Sequence, residues 1–66
     1  MKNSIRIERA IKGMTQEDLA NKVSVSRQTI NAMEANKYVP STVLALKIAR
    51  VFNKRVEDIF LLEKTD

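Results

Sequence analysis

The chain has 66 residues, 44% of them hydrophobic and 30% charged, with no cysteine, no histidine and a net charge of +4. A chain of this length makes one domain (residues 1–66) with a thin core, because it buries only about 60% of the surface its unfolded form exposes. Composition excludes disulfides and the usual zinc sites, so helix packing and a second subunit are left to supply stability.

The charge is unevenly spread. Through Arg55 there are eleven Lys/Arg against four Asp/Glu, and from Val56 onward one against four. A basic body with an acidic end suits a polyanion-binding surface whose other side faces elsewhere. The opening residues Met1-Lys2-Asn3-Ser4 lead into a mixed charged segment, unlike a secretory signal. No apolar run approaches membrane-spanning length. A cytoplasmic protein without membrane association is expected.

One glycine, one proline and apolar residues recurring at three and four indicate helices throughout. The first is expected from about Ser4 to Lys12, with Ile5, Ile7 and Ile11 in the core and Gly13 closing it in the left-handed region. Thr15 opens a second, with Asp18 three residues on as its capping-box partner and Leu19, Ala20 and Val23 as its inner face. Ser24 and Val25 form a tight break, and Ser26 caps a third helix that runs to about Ala35. Asn36 and Lys37 end it, and Tyr38-Val39-Pro40 make a loop. Ser41 caps a fourth helix, Thr42 to Phe52, with Val43, Leu44, Leu46, Ile48, Ala49, Val51 and Phe52 as its apolar set, and Asn53 ends it. A fifth turn, Val56 to Phe60, carries Glu57 and Asp58 where acids favour the helix dipole. Leu61 to Lys64 can extend as a strand.

Function is concentrated in Gln16 to Ala35, two short helices joined by a turn of a few residues, which is the plan of a helix-turn-helix unit. Ala20 is small where the helices must cross, and Val25 fills the angle between them. With Ile30 and Met33 inward, a rotation of about 100° per residue sends Gln28, Asn31, Ala32 and Ala35 to the opposite side, with Arg27 at the exposed start. Gln and Asn pair with adenine in two-hydrogen-bond fashion, Arg with guanine, and alanine methyls touch thymine. That outer face has no acid, since Glu34 lies nearer the core. Amides alone would equally suit an ordinary solvated helix; the spacing of cap, turn and inner stripe favours DNA.

The segments MTQEDLANKVSVSRQTINAME, NKYVPS, LALKIARVF and VEDIF, in that order, resemble the Cro/C1-type helix-turn-helix regulators over roughly Asn3 to Phe60. The resemblance is closest to short members made of the DNA-binding domain and a brief C-terminal extension. It implies an all-α, five-helix bundle of the lambda-repressor-like type, with a short C-terminal strand at a dimer interface. It further implies that Gln16 touches the DNA backbone and buttresses the recognition helix, Arg27 to Ala35, whose base contacts come from Arg27, Gln28 and Asn31. Ser26 and Thr29 match positions that contact phosphate or cap the helix, and Lys37 and Tyr38 match a loop that clamps the adjacent backbone. Arg9 and Glu34 match a structural ion pair. The chain departs from the family pattern at Ser24 and Asn36, where glycine is usual, and at Arg55, where a Ser or Thr cap is usual.

Two-fold helix-turn-helix dimers place two recognition helices about 34 Å apart on one face of DNA. Phe60, Leu61, Leu62 and Glu63 are the expected dimer surface, pairing as antiparallel strands across the two-fold axis with Met1 to Asn3 flanking them. The expected function is therefore that of a homodimeric transcriptional regulator, a repressor, acting on double-stranded DNA with a two-fold symmetric operator. No cofactor, metal or small-molecule ligand is expected, and catalysis is not, since histidine, cysteine and acid clusters are lacking. The alternative is a protein-interaction or antitoxin-type module that sequesters a partner through Leu61 and Leu62.

Overall fold

Local hydrogen bonding sets where each helix starts. A computed structural model describes residues 1–66, with helices α1 (Ile5–Ile11), α2 (Gln16–Val23), α3 (Arg27–Glu34), α4 (Thr42–Phe52) and α5 (Val56–Ile59). Thr15 and Asp18 close a reciprocal capping box, with Asp18 N donating to Thr15 Oγ1 and Thr15 N to Asp18 Oδ2, both at 3.0 Å. Ser26 Oγ and Ser41 Oγ each accept from the backbone N–H three residues on, at 3.2 Å. At α5 only the backbone half of such a box forms, Arg55 N donating to Asp58 Oδ2 at 3.2 Å, since a guanidinium cannot accept.

The helix ends are equally local. Gly13 (φ 62°), Ser24 (φ 61°), Asn36 (φ 60°) and Asn53 (φ 54°) all adopt the left-handed region. Ser24 and Asn36 thus carry the conformation for which glycine is the usual choice. Asn tolerates it well, and Ser24 bears the steric cost of its Cβ.

The core consists of twelve hydrophobic residues drawn from every helix. Ile5, Leu19, Ile30, Met33, Ile48 and Ile59 are fully shielded. The inner stripe expected for α1 is corrected: Ile7 and Ile11 are 62% and 72% exposed, and Glu8 is buried instead. Ile5 and Ile7 stand about 200° apart on a helix, so only one could face inward. With Ile5 inward, Glu8 follows on the same face and is met by Lys54 Nζ at 2.8 Å. On α4, Leu44, Ile48, Ala49 and Phe52 are inside as expected, whereas Val43 and Leu46 are exposed.

The C-terminal strand forms, but over Phe60–Leu61 only, and its partner is the chain's own N-terminus. β1 (Lys2–Asn3) and β2 (Phe60–Leu61) pair antiparallel, Lys2 opposite Leu61 and Asn3 opposite Phe60. The Phe60 side chain turns into the core at 7% exposure, where a dimer contact was expected, while Leu61 and Leu62 stay on the surface. No helix is long and apolar enough to cross a membrane.

Candidate nucleic-acid interface

The turn between α2 and α3 is closed by Val25 N donating to Ala20 O at 3.0 Å, across the left-handed Ser24. Val25 packs against the core and Ala20 is buried, so the two helices approach over a small side chain. α3 then presents two unlike faces. Ile30 and Met33 are fully shielded, while Arg27, Gln28 and Asn31 are exposed on the other side, as expected. Ala35 is also exposed, but Ala32 is half-buried and contributes less to the outer face than its position suggested. Thr29 is half-buried, its hydroxyl 2.9 Å from that of Ser26.

Polar contacts from α1 and the start of α2 hold this helix. Gln16 Nε2 donates to Asn31 Oδ1 and to Glu34 Oε1, both at 3.3 Å, joining the start of α2 to the middle and end of α3. Arg9 grips Glu34 through two N–H···O bonds, Nε to Oε2 at 2.6 Å and Nη2 to Oε1 at 2.9 Å. Its remaining Nη1 donates to Met14 O at 2.8 Å. Such fork-to-fork geometry fixes direction as well as distance. Arg6 Nε adds positive charge 3.7 Å from the same carboxylate. Burial by itself would push the Glu34 carboxyl up, but hydrogen bonds from Arg9 and Gln16 and the charges of Arg9 and Arg6 outweigh it, so it is held below the usual carboxylate range. The pairing of Arg9 with Glu34 is thus present, and it keeps the one acid of α3 ionised and turned away from the outer face.

After α3, Asn36 turns the chain and Lys37 N donates to Ala32 O at 2.9 Å, which leaves the Lys37 and Tyr38 side chains exposed beside the helix end. Arg27, Gln28, Asn31, Lys37 and Tyr38 are each exposed, on α3 or in the loop that follows it, while Gln16 and Thr29 are half-buried and Ser26 caps the helix. The tail residues Phe60 to Glu63 belong elsewhere, next to β1; there Glu63 Oε1 lies 3.1 Å from the Met1 ammonium. Sequence reasoning missed Asn3, whose Nδ2 donates to Met33 O at 2.8 Å and so reaches the end of α3 from the N-terminal strand. No periodicity could have found it, because the contact spans thirty positions.

The chain is similar to known proteins over nearly its whole length. A family model described as helix-turn-helix matches residues 5–59. The chain is 56% identical over 63 residues to an uncharacterised HTH-type transcriptional regulator of Methanocaldococcus jannaschii, covering 96% of both chains. It is 48% identical over 64 residues to the uncharacterised HTH-type transcriptional regulator YgzD of Bacillus subtilis, covering 97% of both. Among solved structures, it is similar to the N-terminal DNA binding domain of SinR from Bacillus subtilis. That match has a TM-score of 0.76 and 28% identity, covering 94% of this chain and 90% of that one.

Proposed function

This chain belongs to the Cro/C1-type helix-turn-helix family of transcriptional regulators, and from that premise we propose that it is a sequence-specific repressor that binds double-stranded DNA as a dimer. α3 enters the major groove. Arg27, Gln28 and Asn31 read base edges, Gln28 and Asn31 suiting adenine and Arg27 guanine. Gln16, Ser26, Thr29, Lys37 and Tyr38 hold the flanking phosphates and set the register. Residues 1–66 work as one unit in the cytoplasm, with 16–35 as the reading element and about 60–66 as the dimerisation extension.

The observation that carries this reading is the polarity of α3: its amides and guanidinium face solvent while Ile30 and Met33 have no exposure. One such helix offers too few contacts for useful discrimination, since each good base pairing is worth about 1–3 kcal/mol. A two-fold dimer doubles them. Leu61 and Leu62, exposed at 55% and 82%, support a second copy at the tail. Phe60 contributes from within, lining a groove of about 360 Å³ with Met1, Val39, Pro40 and Leu46. Bound across a promoter, the dimer excludes polymerase by its bulk.

Two substitutions test the reading. Gln28→Ala is expected to relax discrimination at particular bases, at a cost of about 1–3 kcal/mol on the preferred duplex, whereas Lys37→Ala weakens binding to all sequences alike. Affinities for a duplex selected from random DNA, and for single-base variants of it, distinguish the two. If Gln28→Ala also lowers every affinity by the same factor, α3 does not read bases.

A further inference from the structure

We propose that Asn3 is a positioning residue for base reading: it ties the end of α3 to the N-terminal strand, and discrimination between DNA sequences depends on that tie. The inference rests on α3 being the reading element.

α3 has eight residues, roughly 12 Å of helix. Only Ile30 and Met33 anchor it in the core, three positions apart and about 4.5 Å along the axis. Two apolar anchors so close set the depth of the helix, and its tilt rests on polar contacts: Gln16 and Arg9 act through the side chains of Asn31 and Glu34. At its start the Ser26 cap and the turn hold it. At its end the carbonyls of Asn31, Ala32 and Met33 accept from the backbone of Ala35, Lys37 and Asn36, and Met33 O also accepts from Asn3 on a distant element, which ties the helix end to the N-terminal strand. Met33 O accepts from Asn36 N at 3.0 Å and from Asn3 Nδ2 at 2.8 Å, which uses both its lone pairs.

The other end of the Asn3 amide is used as well. Asn3 Oδ1 accepts from Ile5 N at 3.2 Å, at the start of α1, and its backbone lies opposite Phe60 in the two-stranded sheet. The Nδ2 atom also lies 3.5 Å from Asn36 Oδ1. One half-buried side chain therefore joins β1, the start of α1, the end of α3 and the left-handed residue that leads into Lys37 and Tyr38. Arg9 holds the end of α3 through the Glu34 side chain, whereas Asn3 holds the backbone itself. Only an amide supplies a donor and an acceptor in that fixed opposition; an aspartate has no donor, and a serine lacks the reach. Reading groups lose selectivity when their support lets them shift by more than about 0.5 Å or 10–20°.

The test uses the full chain with Asn3→Ala, with Asn3→Ser (whose hydroxyl can still cap Ile5 N and so protects folding), and with Ser4→Ala as a neighbour that leaves the tie intact. Dissociation constants are measured for a duplex selected from random DNA and for a scrambled duplex of equal length, in one buffer well below each thermal midpoint. Both Asn3 variants are expected to lower the ratio of scrambled to selected dissociation constants at least about fivefold, mainly by weakening the selected complex. Ser4→Ala should leave that ratio unchanged. A merely stabilising residue would shift the thermal midpoint and keep the ratio, and that result for Asn3→Ser would overturn the proposal. Equal binding of both duplexes by the unsubstituted protein would overturn the reading of α3 and this inference with it.

Discussion

Ser4 carries a hydroxyl that is buried and has no hydrogen-bond partner. Its backbone is in use, since Ser4 N donates to Ile59 O at 2.9 Å, but its side chain caps nothing. A buried polar atom left unpaired costs at least about 1 kcal/mol. Ser4→Ala removes the orphan and keeps the backbone bond, so it is expected to stabilise the protein by about 1 kcal/mol. In a chain this short that raises the thermal midpoint by about 4–8 °C, measurable by circular dichroism. An unchanged or lower midpoint would mean that the hydroxyl contributes more than the static contacts indicate. The opposite case is Glu34, whose side chain is 2% exposed and gripped by Arg9. Glu34→Gln leaves the Arg9 guanidinium without its charge partner, and breaking a shielded pair from one side costs about 3 kcal/mol. Because the folded-state pKa of Glu34 is depressed, the stability it contributes is fully present above the unfolded value of about 4.3 and is lost as pH falls through the folded value. Unfolding free energy measured from pH 7 to pH 3 should therefore fall less steeply below about pH 4.3 in Glu34→Gln than in the unsubstituted protein.

At the scale of elements, four of the five helix starts could be read directly, because a Ser or Thr cap, or an acid in the first turn, acts within four residues of itself. Thr15, Ser26 and Ser41 cap as their spacing requires. What could not be read is which side of α1 faces inward, since its isoleucines lie on two faces and long-range partners decide between them. Arg9 must reach Glu34 and Glu8 must reach Lys54, and neither partner is within 20 positions. The outer face of α3 was legible for the converse reason, as Ile30 and Met33 leave only one way to rotate the helix. The orientation of Phe60 was not legible, because an apolar residue near a chain end reads equally as core or as contact surface, and the pairing of β2 with β1 accompanies its inward turn. The turns allow a test with opposite signs. Ser24 and Gly13 share φ near 60°, yet only Ser24 has a Cβ. Relief of about 1 kcal/mol of backbone strain, partly offset by glycine's extra freedom when unfolded, should make Ser24→Gly stabilising by about 0.5 kcal/mol. Gly13→Ala should destabilise by about 1 kcal/mol through backbone strain alone, because a Cβ there meets nothing within 4 Å. Denaturant midpoints of the two variants moving in the same direction would refute this account of the turns.

For the molecule as a whole, the charge asymmetry of the chain and the number of subunits on DNA can be read from one salt titration. Eleven of the twelve Lys/Arg precede Val56, while half of the acids follow Arg55, so the part of the chain that carries α3 is basic and the tail is not. Each phosphate neutralised releases counterions, and log K falls with log salt at a slope of about −0.9 per phosphate contacted. Lys37 lies in the exposed loop beside α3 and is proposed to contribute one such contact per subunit. Lys37→Ala should then reduce the magnitude of the slope by about 1 if a single subunit occupies the site, and by about 2 if two do, because each copy loses its contact. An apolar side chain cannot neutralise a phosphate, so replacing the exposed Leu61 and Leu62 with Ser should act on the slope only through the proposed dimer, halving it where one subunit is left bound and lowering affinity on a symmetric site. The expectation is a change of about 2 for Lys37→Ala on a selected symmetric duplex. A change of about 1 would refute the dimer while keeping DNA binding, and affinity insensitive to salt would remove the nucleic-acid reading in favour of an apolar partner.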